Sequence, residues 1–128
     1  MVLDTSALVA ILRDEPERPA FLRLLTSTKA PMISAATLFE CSMVQAKFDE
    51  GWVDLDDLLL SAGIRVAALD VAQAHAARDA WLRYGKGRSP AGLNFGDCFS
   101  YALAKTTDRP LLFKGNDFAQ TDVTPAAA

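Results

Sequence analysis

The chain is poor in the residues that build zinc frameworks. Among its 128 residues are two cysteines, Cys41 and Cys98, and one histidine, His75, and no C-x-x-C spacing occurs. This scarcity excludes a zinc-finger framework. The two cysteines are instead predicted to be small buried side chains on helices.

Positive charge is not in excess either. Thirteen Lys and Arg stand against sixteen Asp and Glu, for a formal net charge of −3. Such a balance lacks the basic footprint of a typical nucleic-acid binder and by itself favours an enzyme that acts on a small ligand. A bound divalent cation can reverse that inference locally, because its charge is often the largest in a site.

Long apolar runs are missing as well, so we expect no membrane span. The first residues carry Asp4 and no basic segment, which argues against a signal peptide, and we expect a cytoplasmic protein. The glycine-rich loop at residues 85–92 lacks the Walker spacing and is not expected to bind a nucleotide. We predict one domain over residues 1–124 and a C-terminal tail at 125–128.

Short apolar segments alternate with helical patterns along the chain. Strands are predicted at residues 1–3, 31–34, 64–68 and 111–113, and helices at 7–13, 19–26, 35–48, 54–61, 70–84 and 94–106. Gly51 is expected to interrupt the helical pattern in the middle of the chain. This alternation predicts an α/β domain with a mostly parallel sheet covered on both faces.

Four acidic residues stand at the edges of these apolar segments, namely Asp4, Glu40, Asp97 and Asp117. A carboxylate beside core-forming residues is costly unless it is paired, hydrogen-bonded or bound to a cation. Ligands of parallel α/β sheets bind at the carboxyl ends of the strands, where these acids are expected to converge. Such a cluster suits Mg²⁺ or Mn²⁺ and the chemistry of phosphoryl transfer.

Each acid also has an ordinary structural explanation. Asp4 could cap a helix that opens near Ser6, and Asp97 could be a first-turn residue favoured by the helix dipole. Glu40 could lie on a solvated face, and Asp117 could belong to a turn. Weaker candidates for contact with a phosphate-bearing substrate or with the metal site are Thr5, Ser6, Lys86, Arg88 and Asn116.

Four segments together resemble the motifs of PIN-domain ribonucleases, and specifically of the VapC-like toxins of type II toxin–antitoxin systems. These are Val-Leu-Asp-Thr-Ser-Ala-Leu, Thr-Leu-Phe-Glu, Gly-Leu-Asn-Phe-Gly-Asp-Cys-Phe-Ser-Tyr-Ala-Leu-Ala and Leu-Leu-Phe-Lys-Gly-Asn-Asp-Phe. The resemblance covers nearly the whole chain, in order. It implies a three-layer α/β/α sandwich with a short, mostly parallel central sheet.

The resemblance also implies an activity and partners. We expect an endoribonuclease toxin that cleaves RNA with Mg²⁺ or Mn²⁺, is bound by a cognate antitoxin and forms a homodimer or a hetero-oligomer with the antitoxin. Asp4 and Asp97 become the principal metal ligands, Glu40 completes the acidic pocket and Asp117 takes the fourth position. This chain has Gly115 or Asn116 where the resemblance implies an acid in many relatives, followed by a further acid at Asp117.

The sequence is also compatible with two other functions. An aspartate-based phosphatase would use Asp4 as its nucleophile, but Ser6 stands where the Asp-x-Asp form of such enzymes has a second acid. A catalytically silent module that binds RNA or a protein would keep the acids without turnover.

Overall fold

A short parallel sheet forms the centre of the molecule. The computed structural model describes residues 1–126, in which the strands are β1 (Val2–Leu3), β2 (Met32–Ser34), β3 (Arg65–Ala67) and β4 (Leu111–Leu112). Their order is β3-β2-β1-β4 and all neighbouring pairs are parallel. The carboxyl ends of all four strands therefore point to the same edge of the sheet.

Helices cover both faces of this sheet. They are α1 (Thr5–Leu12), α2 (Arg18–Thr26), α3 (Ala35–Gln45), α4 (Gly51–Ser61), α5 (Val71–Tyr84) and α6 (Phe95–Thr107), followed by a short 3₁₀ turn at Phe118–Gln120. Successive side chains of each central strand point to opposite faces of the sheet, because a β-strand is pleated. Val2 belongs to the hydrophobic cluster that includes α6, and Leu3 belongs to the cluster that includes α1 and α4. The predicted α/β/α sandwich is confirmed.

Both cysteines lie in these clusters, Cys41 in the first and Cys98 in the second, and both are free thiols. The prediction that they serve as small buried side chains is therefore confirmed.

The first helix begins earlier than the sequence indicated. It starts at Thr5 rather than Ala7, because Asp4 and not Ser6 is its N-cap. The Asp4 side chain accepts a hydrogen bond from the Ser6 backbone N–H, as N-cap residues do. The turn from β1 into α1 therefore takes place at Asp4 itself.

The corner between α3 and α4 also departs from the prediction. α3 ends at Gln45 rather than at residue 48, and α4 begins at Gly51, where we predicted a break. Glu50 takes a left-handed conformation with φ of 59°. A Cβ on Gly51 would overlap the Gln45 carbonyl, so glycine here permits a tight corner rather than a gap between helices.

The C-terminal segment is attached to the edge of the sheet. The Leu111 N–H donates to the Thr124 carbonyl at 2.8 Å, and the Ala126 N–H donates to the Leu111 carbonyl at 2.8 Å. Residues 124–126 thus run beside β4, whereas residues 127 and 128 of the predicted tail lie outside the described residues. None of the helices within residues 1–126 has the length and apolarity to cross a membrane.

Candidate active site

A cleft of about 480 Å³ opens at the carboxyl edge of the sheet. Its walls come from the end of β1, the first turns of α1 and α6, and the middle of α3. The polar side chains on these walls are mainly acids and hydroxyls, and they include Asp4, Thr5, Ser6, Glu15, Glu40 and Asp97. Three of the four predicted acids are thus brought to one place.

Asp4 is the most deeply placed of these acids, with 3% of the residue exposed. Its Oδ1 accepts a hydrogen bond from Ser100 Oγ at 2.6 Å. Its Oδ2 accepts from the Ser6 N–H at 3.0 Å and from Ser6 Oγ at 2.7 Å. Three donors on two oxygens fix the plane of the carboxylate and offset the cost of burying its charge. Asp4 is therefore both the N-cap of α1 and a wall of the cleft.

Glu40 reaches the cleft from α3 and is half-buried. Its Oε1 accepts a hydrogen bond from Thr5 Oγ1 at 2.5 Å. Burial raises the pKa of the Glu40 carboxyl and the charge of Asp4 adds to this, while the bond from Thr5 opposes it. Glu40 is therefore held in place by Thr5 in surroundings that disfavour its negative charge.

Asp97 stands in the first turn of α6 within a capping box. Its N–H donates to Asn94 Oδ1 at 2.9 Å, and its Oδ2 accepts from the Asn94 N–H at 3.0 Å. Burial raises the pKa of Asp97 to about 7, and the charges of Asp4, Glu40 and Asp117 also raise it, although the Asn94 hydrogen bond opposes the shift. The carboxyls of the cleft thus repel one another when they are ionised.

This donor set fits a hard divalent cation. Carboxylate and hydroxyl oxygens suit Mg²⁺ and Mn²⁺. The pKa values of Glu40 and Asp97 are raised first by burial and then by neighbouring negative charges, and a bound cation would offset both effects. Within residues 1–126 no three His, Cys, Asp or Glu side chains lie close enough to enclose a metal ion by themselves. Mg²⁺ does not need such a cage, because it keeps several waters and takes one or two protein carboxylates.

Asp117 does not line the cleft. It is exposed and precedes the short 3₁₀ turn at Phe118–Gln120, without a side-chain capping bond. Its charge nevertheless raises the pKa of Asp97, so it contributes to the field of the site from outside. Asn116 is also exposed and is not among the residues that line the cleft.

The predicted basic residues also lie elsewhere. Lys86 and Arg88 follow α5, outside the cleft lining, and the Arg88 guanidinium stacks 4.9 Å from the centre of the Trp81 ring. Lys114 does line the cleft, and its ammonium pairs with Glu15 at 2.9 Å and Glu17 at 3.2 Å. The charge of this lysine is thus partly neutralised by its own chain.

Ser100 and Thr37 are site residues that the sequence did not reveal. Ser100 is completely buried, and its Oγ lies 3.3 Å from Thr37 Oγ1, within hydrogen-bonding distance. A bond between these two hydroxyls would hold Ser100 in the position from which it donates to Asp4. A signal was present, since Ser100 lies one helical turn after Asp97 and Thr37 one turn before Glu40. Hydroxyls at that spacing share a helix face with the acids.

The sequence matches a known family over almost its whole length. Residues 1–123 match the PIN domain. The chain is 48% identical to Ribonuclease VapC30 of Mycobacterium tuberculosis over 129 aligned positions, covering 99% of this chain and 98% of that protein. It is 50% identical to Ribonuclease VapC of Mycolicibacterium smegmatis over 125 positions, covering 96% and 97%.

Solved structures share the fold. VapC20 of Mycobacterium tuberculosis, described as a toxin that cleaves the sarcin–ricin loop, superposes with a TM-score of 0.77 at 19% identity, over 96% of this chain and 95% of that one. A chain of VapBC2 from Rickettsia felis, bound to a promoter DNA fragment, gives 0.76 at 15% identity over 97% and 94%. The chain therefore belongs to the PIN-domain family and, within it, to the VapC ribonucleases.

Proposed function

We propose that this chain is an endoribonuclease toxin whose acidic cleft binds Mg²⁺ or Mn²⁺ and hydrolyses a phosphodiester bond in RNA. The observation that carries the proposal is the convergence of Asp4, Glu40 and Asp97 from three separate elements on one cleft. The identity of 48–50% with VapC ribonucleases supports the same activity. We also propose a cytoplasmic location, where RNA is available as a substrate.

The three acids receive different roles in this proposal. Asp4 and Asp97 hold the cation, since Asp4 is fixed by three donors and Asp97 is anchored at the start of α6. When bound, the ion polarises a phosphate oxygen and lowers the pKa of a coordinated water. Glu40 orients the attacking water and accepts its proton, a role that its raised pKa suits. Asp117 adds negative charge from outside the cleft.

Cleavage of RNA by the purified chain tests this proposal. Total RNA is incubated with MgCl₂ or MnCl₂ and with excess chelator, and the products are mapped at their 5′ ends. We expect defined cuts that depend on the metal and that Asp97→Asn reduces by about 100-fold or more, because the substitution removes a charge that holds the ion. Asp79→Asn is the matched control, since Asp79 is an exposed acid on α5 outside the cleft.

A Mn²⁺ titration and a phosphomonoester assay on the same protein distinguish the two alternative functions. Metal binding without cleavage would support a silent RNA- or protein-binding module. Release of phosphate from small phosphomonoesters, with no cut in RNA, would support an aspartate-based phosphatase. Cleavage that persists in chelator or in the Asp97→Asn variant would contradict the metal-site assignment.

We further propose a cognate antitoxin and a second copy of the chain as protein partners. Of the matching structures, one is described as VapBC2 bound to a promoter DNA fragment and another as a toxin–antitoxin complex from Klebsiella pneumoniae. Near the cleft several large apolar side chains are exposed, among them Phe39 at 66%, Met43 at 55% and Phe95 at 82%. Patches of this kind are typical of protein contacts.

Co-expression with the product of a neighbouring small reading frame tests the antitoxin. We expect a stable complex in which metal-dependent cleavage is suppressed. Light scattering of the isolated chain tests the homodimer, and Phe39→Ser with Phe95→Ser is expected to shift a dimer towards monomer. A monomeric wild-type chain at all concentrations would contradict the homodimer.

A further inference from the structure

Gly96 lies against the carboxyl group of Glu40. A methyl group at Gly96 would overlap Oε2 and Cδ of Glu40 and would lie 2.6 Å from Oε1. The Glu40 carboxylate therefore occupies the space that any other residue at position 96 would fill. Two elements that are distant in sequence, α3 and the first turn of α6, approach each other closely here.

The local backbone does not explain a glycine at this position. Gly96 is a helical residue of α6, and it is not among the glycines with positive φ. Alanine is a better helix former than glycine, so helix propensity would favour a side chain. The constraint comes from Glu40 and not from the chain conformation of α6.

We propose that Gly96 is a positioning residue. Its missing side chain leaves the space at the N-terminal end of α6 that the Glu40 carboxylate occupies, and we call this space the Glu40 seat. Thr5 Oγ1 binds Oε1 on one side, at 2.5 Å, and the bare Cα of Gly96 leaves room for Oε2 on the other. The dipole at the N-terminal end of α6 offsets part of the cost that burial and the charge of Asp4 impose on the ionised Glu40 carboxylate. The inference rests on the proposed nuclease function, because its catalytic readout is RNA cleavage.

Gly96→Ala tests the seat without threatening the fold. The group that must move is the end of a flexible glutamate, and alanine suits a helix, so we expect an unfolding midpoint equal to or higher than that of the unsubstituted chain. Cleavage is expected to fall by about 10- to 100-fold, mainly in kcat, because Glu40 no longer orients the reacting water. A merely structural role for Gly96 would lower the midpoint instead.

A double-mutant cycle with Glu40→Ala tests whether the loss of cleavage in Gly96→Ala acts through Glu40. In the Glu40→Ala background the added Gly96→Ala substitution is expected to change single-turnover cleavage by less than about twofold, since the clash has no partner. If the full loss persists in that background, Gly96 acts through another group and the inference is overturned.

A crystal structure of the Gly96→Ala variant supplies a readout independent of activity. We expect the Glu40 carboxylate to leave the first turn of α6 and the Thr5 hydrogen bond to be lost. If Glu40 keeps its position in the crystal structure of Gly96→Ala, the inference fails. It also fails if the unsubstituted chain cleaves RNA and Gly96→Ala cleaves it at the same rate. If the unsubstituted chain itself does not cleave RNA, the proposed function fails, and the position of Glu40 in the crystal still decides the inference.

Discussion

At the scale of single residues, the hydroxyl groups around the acids define the geometry of the cleft. Ser6 and Ser100 bind opposite oxygens of Asp4, and Thr5 binds Glu40. Asp4 Oδ1 and Glu40 Oε1 each accept one such bond and keep a lone pair for a cation, whereas Asp4 Oδ2 accepts two bonds. These residues orient the acids in the way that hydrogen-bonded neighbours orient metal ligands in general.

Ser100→Ala is expected to weaken both metal binding and folding. The substitution removes the donor to Asp4 Oδ1 in a fully buried position. Mn²⁺ affinity should fall by about 10-fold, measured by titration calorimetry, because Asp4 loses one of its constraints. The free energy of unfolding in urea should fall by about 1–3 kcal/mol, the usual cost of a buried group that loses its hydrogen bond.

Ser42→Ala is the matched control for this change. Ser42 is also a helical serine, but its Oγ donates only to the Leu38 carbonyl of its own helix. We expect unchanged Mn²⁺ affinity. An equal loss of affinity in both variants would show that Ser100 has no particular connection with Asp4.

Sequence reasoning found the acids more readily than their supporting residues. Asp4, Glu40 and Asp97 could be predicted because carboxylates at the edges of apolar segments are costly and therefore conspicuous. Ser100 and Gly96 were missed, since a serine and a glycine in an apolar helix have many ordinary explanations. Helical spacing places Ser100 on the same face of α6 as Asp97, but its bond to Asp4 depends on how α6 packs against the end of β1. The importance of Gly96 depends on how α6 packs against α3, and both of these packings are tertiary properties.

At the scale of secondary-structure elements, two helices begin with equivalent caps, only one of which lies at the cleft. Asn94 caps α6 by accepting from the Asp97 N–H at 2.9 Å, and Asp70 caps α5 by accepting from the Gln73 N–H at 2.9 Å. These helices were predicted at residues 70–84 and 94–106, and each begins one residue later, at Val71 after its cap Asp70 and at Phe95 after its cap Asn94. The two caps therefore form a natural comparison.

Asn94→Ala and Asp70→Ala are expected to cost similar stability and to differ in activity. Each should lower the free energy of unfolding by about 1 kcal/mol, the typical contribution of an N-cap. Only Asn94→Ala should reduce RNA cleavage, because Asn94 Oδ1 accepts from the Asp97 backbone N–H and so holds the first turn of α6, which carries the Asp97 carboxylate. The bond from the backbone N–H of residue 94 to Asp97 Oδ2 survives the substitution, so the loss should not exceed about 10-fold. Equal activity of the two variants would contradict the role given to the capping box.

Element boundaries were predicted less well than the elements themselves. The early start of α1 and the corner at Gly51 are set by contacts and backbone angles. Gly51 in particular has two interpretations in a sequence, as a break or as a point of close approach, and only the position of Gln45 decides between them.

At the scale of the whole molecule, the cleft makes stability depend on pH and on metal. Burial and neighbouring charges raise the pKa of Asp97 from an ordinary value of 3.8 to about 7. Between these values the folded chain binds a proton more tightly than the unfolded chain does. The stabilisation from this proton is complete below the unfolded pKa and is lost as the pH rises through the folded pKa, and Glu40 acts in the same direction.

We therefore expect the metal-free chain to lose stability between about pH 4 and pH 7 through these carboxyls, and Mn²⁺ to restore it. At about pH 8, Mn²⁺ at 100 times its Kd should stabilise the fold by about 2.7 kcal/mol. At about pH 5 the effect should shrink, because the metal must displace protons. Thermal unfolding in chelator and in MnCl₂ across this range measures both effects.

Asp97→Asn is the control for this dependence on pH. It removes the charge but keeps an oxygen that can accept from Asn94, so the chelator curve should become flatter and the response to Mn²⁺ should diminish. A curve of unchanged slope would assign the pH dependence to other groups.

Asp4 both caps α1 and lines the cleft. Inactivating substitutions at Asp4 and at Asp97 are therefore expected to have different consequences for the amount of folded protein in a living cell. The amide nitrogen introduced by Asp4→Asn would face a hydroxyl that now donates a proton, so this variant is expected to fold poorly and to be degraded. Asp97→Asn should instead accumulate as an intact but inactive protein. Under the proposed pairing with an antitoxin, such a protein would still bind that partner, so an inherited loss at Asp97 would expose its carrier to any active copy produced beside it.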